Sequence, residues 1–395
     1  MPGLGDNIAQ LMRARRQQEA AGATSAASTA GLTELHGFGS NPGALRMMAY
    51  VPPGLPPGAP LVVALHGCTQ TAAGYDAGAG WSRLAARHGF AVLLPEQVRA
   101  NNANTCFNWF QPADTARTGG EAESIRQAVA HMAGAHGLDP KRVFVTGLSA
   151  GGAMAAVMLA AYPEVFAGGA VIAGLPYGAA HSVPEAFEAM GGRRVHTPRE
   201  WGGLVRAASP HRGPWPRVQV WQGGADHTVR PGNAEELVKQ WGDVLGLSAA
   251  PDVADTVDGA AHRAWRDASG QVVLESFLVP GMGHGTPLDT GAADLDRSAG
   301  AAGPYMLDAG ISSTWHMARA WGLLTAAAEA RTAGQRADAP QPAQAGARSE
   351  GAKPALGGLL GGLKLPKITL PAAARTGAVG AVIDKALRSA GLLKR

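Results

Sequence analysis

The sequence predicts an α/β fold, a mostly parallel central sheet with helices on both faces. Two observations carry this. Five short, continuously apolar segments rich in β-branched residues have the character of strands buried on both faces. Segments with helical periodicity or turn residues lie between them, the alternation expected of a parallel sheet. Hydrophobic residues make up 46% of the 395, against 16% charged, as in a globular chain. No apolar run reaches eighteen residues, so no membrane-spanning helix is expected.

In chain order, the first segment, residues 1–31, reads as a polar leader. Ile8, Leu11 and Met12 suggest a short amphipathic helix within it, and it lacks the basic-then-apolar order of a secretory signal. Residues 32–330 form the expected catalytic domain. Its strand candidates are LVVALHG (61–67), FAVLLPEQ (90–97), RVFVTG (142–147), RVQVWQG (217–223) and VVLESFLVPG (272–281). In EAESIRQAVAHMAGAHG (121–137), Ile125, Val129 and Met132 share one helical face, and Leu-Asp-Pro at 138–140 ends the helix. Residues 331–355, rich in Ala, Pro and Gly, read as a disordered linker. Residues 356–395 read as a basic tail whose last segment, VGAVIDKALRSAGLLKR, has an apolar stripe at helical spacing. Such a helix would contact an apolar or anionic surface, or pack on the protein's own body. Residues 351–395 hold eight Lys/Arg against one Asp, while the whole chain carries only +4. The body is therefore mildly acidic, which speaks against a nucleic-acid partner.

The chemistry is concentrated in VFVTGLSAGGAMAAVMLA (143–160), where Gly-Leu-Ser-Ala-Gly interrupts a strand-to-helix transition. A serine hydroxyl becomes a nucleophile only beside a base and donors for the developing oxyanion. A G-x-S-x-G turn raises the serine above the sheet and removes side chains that would collide. Ser149 is accordingly the candidate nucleophile. The order Ser, acid, His then selects Asp226, in WQGGADHTVRP after the fourth strand candidate, and His284, in VPGMGHGTP after the fifth. Asp243 and Asp252 do not follow a strand directly, His227 adjoins the acid, and His211 and His262 lack the glycine-rich setting. The amides of Cys68, in HGCTQ, and Ala150 are the candidate oxyanion donors, with His66 a structural residue that orients its loop. The two cysteines, Cys68 and Cys106, are compatible with one bridge or with two buried thiols. No metal set, phosphate loop or dinucleotide fingerprint is present in the sequence, so no cofactor is expected. For substrate contact the candidates are Asn108, Trp109 and Trp201, while Trp81, Trp221 and Trp241 are expected in the core.

HGCTQ (66–70), CFNWF (106–110), GLSAGGAM (147–154), GGADHTV (223–229) and GMGH (281–284) together resemble the poly(3-hydroxybutyrate) depolymerase family of serine esterases. That family is related to feruloyl and acetylxylan esterases, and the resemblance spans about residues 32–325. It implies an α/β-hydrolase fold, the triad Ser149–His284–Asp226, and a disulfide joining Cys68 to Cys106. It also implies a polyester, oligoester or small ester as substrate, with poly(3-hydroxybutyrate) or its short oligomers foremost and feruloyl or acetylxylan esters as the alternative. An extracellular location follows from the family and the disulfide; the missing signal leaves a cytoplasmic one as the rival. Outside enzymes, the rival is a surface- or granule-binding protein that acts through the tail 356–395 and carries a residual hydrolase body.

Overall fold

Continuous apolar runs become strands here because both faces of the sheet are covered. The computed structural model describes residues 31–325; the expected leader up to residue 30, the linker 331–355 and the tail 356–395 lie outside them. The chain enters through β1 (Thr33–Glu34) and β2 (Arg46–Tyr50) and reaches β3 (Leu61–Leu65). Helices α1 (Ala72–Ala79) and α2 (Trp81–His88) lead to β4 (Ala91–Glu96). A loop with the single-turn α3 (Pro112–Thr115), then α4 (Gly120–His136), connects to β5 (Val143–Leu148). Helix α5 (Ala150–Ala161) connects to β6 (Gly168–Ile172), and α6 (Val183–Met190) and α7 (Pro198–Ala207) precede β7 (Arg217–Gly223). Then come α8 (Gly232–Val244), the hairpin β8 (Val253–Val257) and β9 (Ala260–Arg266), and β10 (Val272–Val279). A minor pair, β11 (Thr286–Leu288) and β12 (Met306–Asp308), and α9 (Ser313–Ala320) close the described chain.

The main sheet has the order β1-β2-β4-β3-β5-β6-β7-β10-β9-β8. Its centre, from β4 to β10, is parallel, and antiparallel strands flank it on both sides. Side chains alternate across it: Leu61, Val63 and Leu65 pack with α4, α5, α7 and α8 on one face, while Val62 and Ala64 pack with α1, α2 and α9 on the other. Every residue of α5 is buried, which accounts for its almost unbroken apolar sequence. Helix α4 buries Ile125, Val129 and Met132 as their spacing predicts, and ends at Gly137 in the left-handed conformation. Trp81, Trp221 and Trp241 are fully buried, as expected. Trp221 lies face to face with Phe277 at 3.9 Å.

The chain runs from β3 outward to β4 and then returns to the far side of β3 as β5. That reversal opens a crevice at the carboxyl ends of β3 and β5, the place where open parallel sheets bind ligands. Cys68 follows the first of these strands and Ser149 the second.

Candidate active site

Ser149 sits between β5 and α5 with φ 58° and ψ −116°, a conformation that costs a β-carbon-bearing residue of order 1–3 kcal/mol. Its own N–H donates to the Ile172 carbonyl at 2.9 Å, tying the turn to the end of β6. The flanking glycines are sterically required. A β-carbon on Gly147 would run into the Gly151 carbonyl, and one on Gly151 into the Leu65 carbonyl. The turn is thus pressed against its own helix and against β3, and the serine projects, partly exposed, from the carboxyl edge.

Asp226 and His284 come from loops after β7 and β10, which are parallel neighbours. The loops are stitched by Gly224 N–H to Val279 O at 2.8 Å and Ala225 N–H to Met282 O at 2.9 Å. A β-carbon on Gly223 would strike the Gly283 carbonyl, so glycine sets this approach too. The structure brings the two side chains together: His284 Nδ1 donates to Asp226 Oδ2 at 2.7 Å, with 6% and 0% of the side chains exposed. The other Asp226 oxygen accepts the Thr228 and Val229 amides at 2.8 and 2.9 Å. Gln222 Nε2 adds a bond to Oδ2 at 3.1 Å. Four donors therefore fix a buried carboxylate, which in turn holds the imidazole with its proton on Nδ1 and Nε2 free to accept. Gln222 and Tyr305, whose ring stands edge-on to His284 at 5.9 Å, were not foreseen. The position of Gln222 beside the glycines of WQGG was the available signal; nothing in the sequence marks Tyr305.

Cys68 follows the carboxyl end of β3, and Ala150 follows Ser149 after β5. The loop after β3 uses Gly67 N–H to hold Gln70 Oε1 at 2.8 Å and Thr69 N–H to hold Asn104 O at 2.7 Å. The Cys68 amide lies between these two engaged groups. Ala150 opens α5, where the first-turn amides have no partner within the helix. His66 is fully buried; its Nε2 accepts the Gln97 amide at 3.0 Å, so Nδ1 carries the proton and donates to Gly67 O at 2.8 Å. Burial holds its pKa below the ordinary value, which keeps the ring neutral. It orients the loop, as expected. Cys68 and Cys106 are joined in a disulfide, which binds this loop to CFNWF.

All three substrate-contact candidates are largely or fully buried, and the polar groups of Trp201 and Asn108 are engaged within the protein. Trp201 is fully buried on α7, and its Nε1 donates to Glu236 Oε2 at 2.7 Å. Thr197 and Glu200 form a capping box that starts this helix and turns Trp201 and Val205 into the core. Asn108 is also buried: Asn102 donates to its Oδ1 at 3.0 Å, and its side chain holds the loop from within. Trp109 is largely buried but lines a groove of about 170 Å³ with Tyr177 and Leu204. Among the described residues, no group of three or more His, Cys, Asp or Glu could hold a metal ion, and no helix is long and apolar enough to cross a membrane.

This arrangement of sheet, elbow and carboxyl-edge loops is the α/β-hydrolase fold. Residues 45–266 match the family described as Esterase PHB depolymerase. The chain is 47% identical over 303 residues to poly(3-hydroxyalkanoate) depolymerase C of Paucimonas lemoignei, covering 76% of this chain and 72% of that one. It is 35% identical over 263 residues to acetylxylan esterase of Coprinopsis cinerea, covering 65% and 69%. The solved structure of acetyl xylan esterase from Aspergillus awamori superposes with a TM-score of 0.60 at 30% identity, covering 64% of this chain and 94% of that one. The protein is a carboxylic-ester hydrolase. It belongs to the esterase PHB depolymerase family.

Proposed function

We propose that the chain hydrolyses oligoesters of short 3-hydroxyalkanoic acids through an acyl-enzyme on Ser149. His284 Nε2 takes the Ser149 proton as Oγ attacks the ester carbonyl, and Asp226 holds the imidazole and stabilises its charged form. The Cys68 and Ala150 amides receive the oxyanion. The tetrahedral adduct collapses as His284 returns the proton to the leaving alcohol. Water, deprotonated by the same nitrogen, then attacks the acyl carbonyl, and the acid departs as Ser149 recovers its proton. The observation that carries this reading is the buried Asp226–His284 hydrogen bond on the carboxyl edge that also bears the strained Ser149 turn.

The 47% identical relative, named as a poly(3-hydroxyalkanoate) depolymerase, supports the hydroxyalkanoate substrate. An acetylated polysaccharide is the second reading, supported by the acetylxylan esterase relative and the Aspergillus awamori structure. In either case Trp109, three residues from Cys106 and so tied to the Cys68 loop by the disulfide, is the residue we assign to the apolar wall beside the acyl chain. The disulfide supports a location outside the cytosol, where such bonds persist. A tail-driven binding role depends on residues 356–395, which lie outside the described residues.

The test is turnover of a 3-hydroxybutyrate trimer, acetylated xylan and methyl ferulate by the full chain and by Ser149→Ala. Trimer hydrolysis that vanishes in the variant supports the proposal. Release of acetate alone shifts the substrate to acetylxylan, and equal turnover by the folded variant removes Ser149 from the mechanism.

A further inference from the structure

Glu121, in the first turn of α4, is 1% exposed, yet it has no part in the chemistry above. Its carboxyl is clasped on both sides. The Asn108 backbone N–H donates to Oε2 at 2.9 Å, and Gln97 Nε2 donates to Oε1. The same Gln97 amide also donates to the Cys106 carbonyl at 3.2 Å. Its backbone N–H holds His66, which holds the Gly67 carbonyl next to Cys68. One unbroken path of hydrogen bonds thus leads from Glu121 to the Cys68 loop, and a second runs through Asn108, two residues from Cys106 and its disulfide. Neither path includes a group that touches the reacting ester.

We propose that Glu121 is a positioning residue for ester hydrolysis: its buried carboxyl sets the place of the Cys68 amide and of Trp109. The proposal rests on Cys68 being an oxyanion donor. Asp114 of α3 is the charged neighbour of Glu121, and the Asn108 side-chain amide reaches both carboxyls. Burial, and then the Asp114 charge, push the Glu121 carboxyl up to about 8. Burial also raises Asp114 above its ordinary value. The pair therefore retains a proton at neutral pH. Removing that proton strengthens the N–H bonds to Glu121 but sets two anions around Asn108, and their repulsion shifts the loop that carries Cys106 and Trp109.

The experiment compares the full chain with Glu121→Ala and Glu121→Gln on a soluble nitrophenyl ester from pH 6 to 9.5, with circular dichroism of each variant. A displaced oxyanion donor costs rate, so Glu121→Ala should lower kcat on the order of 10- to 100-fold with KM little changed. Glu121→Gln keeps the size and one acceptor oxygen but turns its NH2 toward one of the two N–H donors, so it should recover only part of that loss. The parent's kcat should fall above about pH 8, and the Gln variant, which cannot ionise, should lack this limb. An alkaline limb of kcat that is the same in parent and Gln variant overturns the proposal even if the Ala variant unfolds. So does a folded Ala variant altered in KM alone. Ser149→Ala runs beside them: its inactivity keeps the acyl-enzyme reading while Glu121 is judged, and its activity shows that the underlying reading is what failed.

Discussion

Replacing Asp226 with asparagine tests the geometry where its energetics are clearest. The carboxylate accepts Thr228 and Val229 amides on Oδ1, and Gln222 Nε2 and His284 Nδ1 on Oδ2. An asparagine keeps one acceptor oxygen. The two backbone donors at 2.8 and 2.9 Å are fixed by the chain and cannot turn away, so the amide oxygen takes their side. Its NH2 then faces Gln222 Nε2 and His284 Nδ1, donor against donor. The imidazole can answer only by moving its proton to Nε2, which leaves no lone pair for Ser149. In serine hydrolases of this design the wrong tautomer costs about 10⁴ in kcat, or about 5 kcal/mol of barrier. The fold should survive, because the Oδ1 side is retained and an unmatched buried donor costs only about 1–3 kcal/mol. The assay is kcat on a nitrophenyl butyrate together with a thermal melt. A folded variant that loses less than tenfold, or changes only in KM, refutes the reasoning.

Three other outcomes follow from the same structure. Closing the Cys68–Cys106 loop, with a separation of 38 residues, is worth about 4 kcal/mol in loop-closure entropy, or about 6 °C in Tm for a domain this size. Calorimetry of a Cys68→Ala/Cys106→Ala variant should show that loss along with a lower kcat, and an unchanged Tm would contradict it. Because the Glu121 carboxyl is raised from 4.5 to about 8, the folded state keeps a proton that the unfolded state has already released. The stability this gives is complete below about pH 4.5 and is lost as pH rises to about 8, at up to about 1.4 kcal/mol per pH unit. Urea unfolding at pH 5, 6.5 and 8 should show that decline in the parent and a flatter profile in Glu121→Gln. Gly223→Ala should separate the Asp226 and His284 loops, since its β-carbon would meet the Gly283 carbonyl. Its kcat should fall by at least tenfold while Ser149 remains accessible, and parent-like turnover would show that the loops can yield.

The strands legible in the sequence were those largely buried in the sheet: β3, β4, β7 and β10 lie within the apolar runs that announced them, and β5 runs one residue past its own, to Leu148. β6 escaped because its sequence, GGAVI, begins with two glycines and reads as a turn. There a β-carbon on Gly169 would come within 2.8 Å of both the Val145 carbonyl of β5 and the Leu159 side chain of α5, so the strand's neighbours impose the glycine. The hairpin strand β8 escaped because its side chains are largely exposed and carry no apolar run. Ser149, Asp226 and His284 were legible because each stands at a strand end in a glycine-rich turn whose spacing is local. The burial of Trp201 was not legible because its Pro- and Gly-rich surroundings concealed the Thr197–Glu200 helix start. Glu121 could not be read at all: a glutamate in a first helical turn looks solvated until β4 and the CFNWF loop are folded over it.

The central claim, that turnover passes through a covalent adduct on Ser149, is tested most directly by mass spectrometry after reaction with a fluorophosphonate. The account predicts one adduct per chain, on the peptide bearing Ser149, with activity lost in step with labelling. It also predicts no adduct in Ser149→Ala and much slower labelling in Asp226→Asn. An adduct on another residue, or full turnover by chains completely labelled at Ser149, would contradict it.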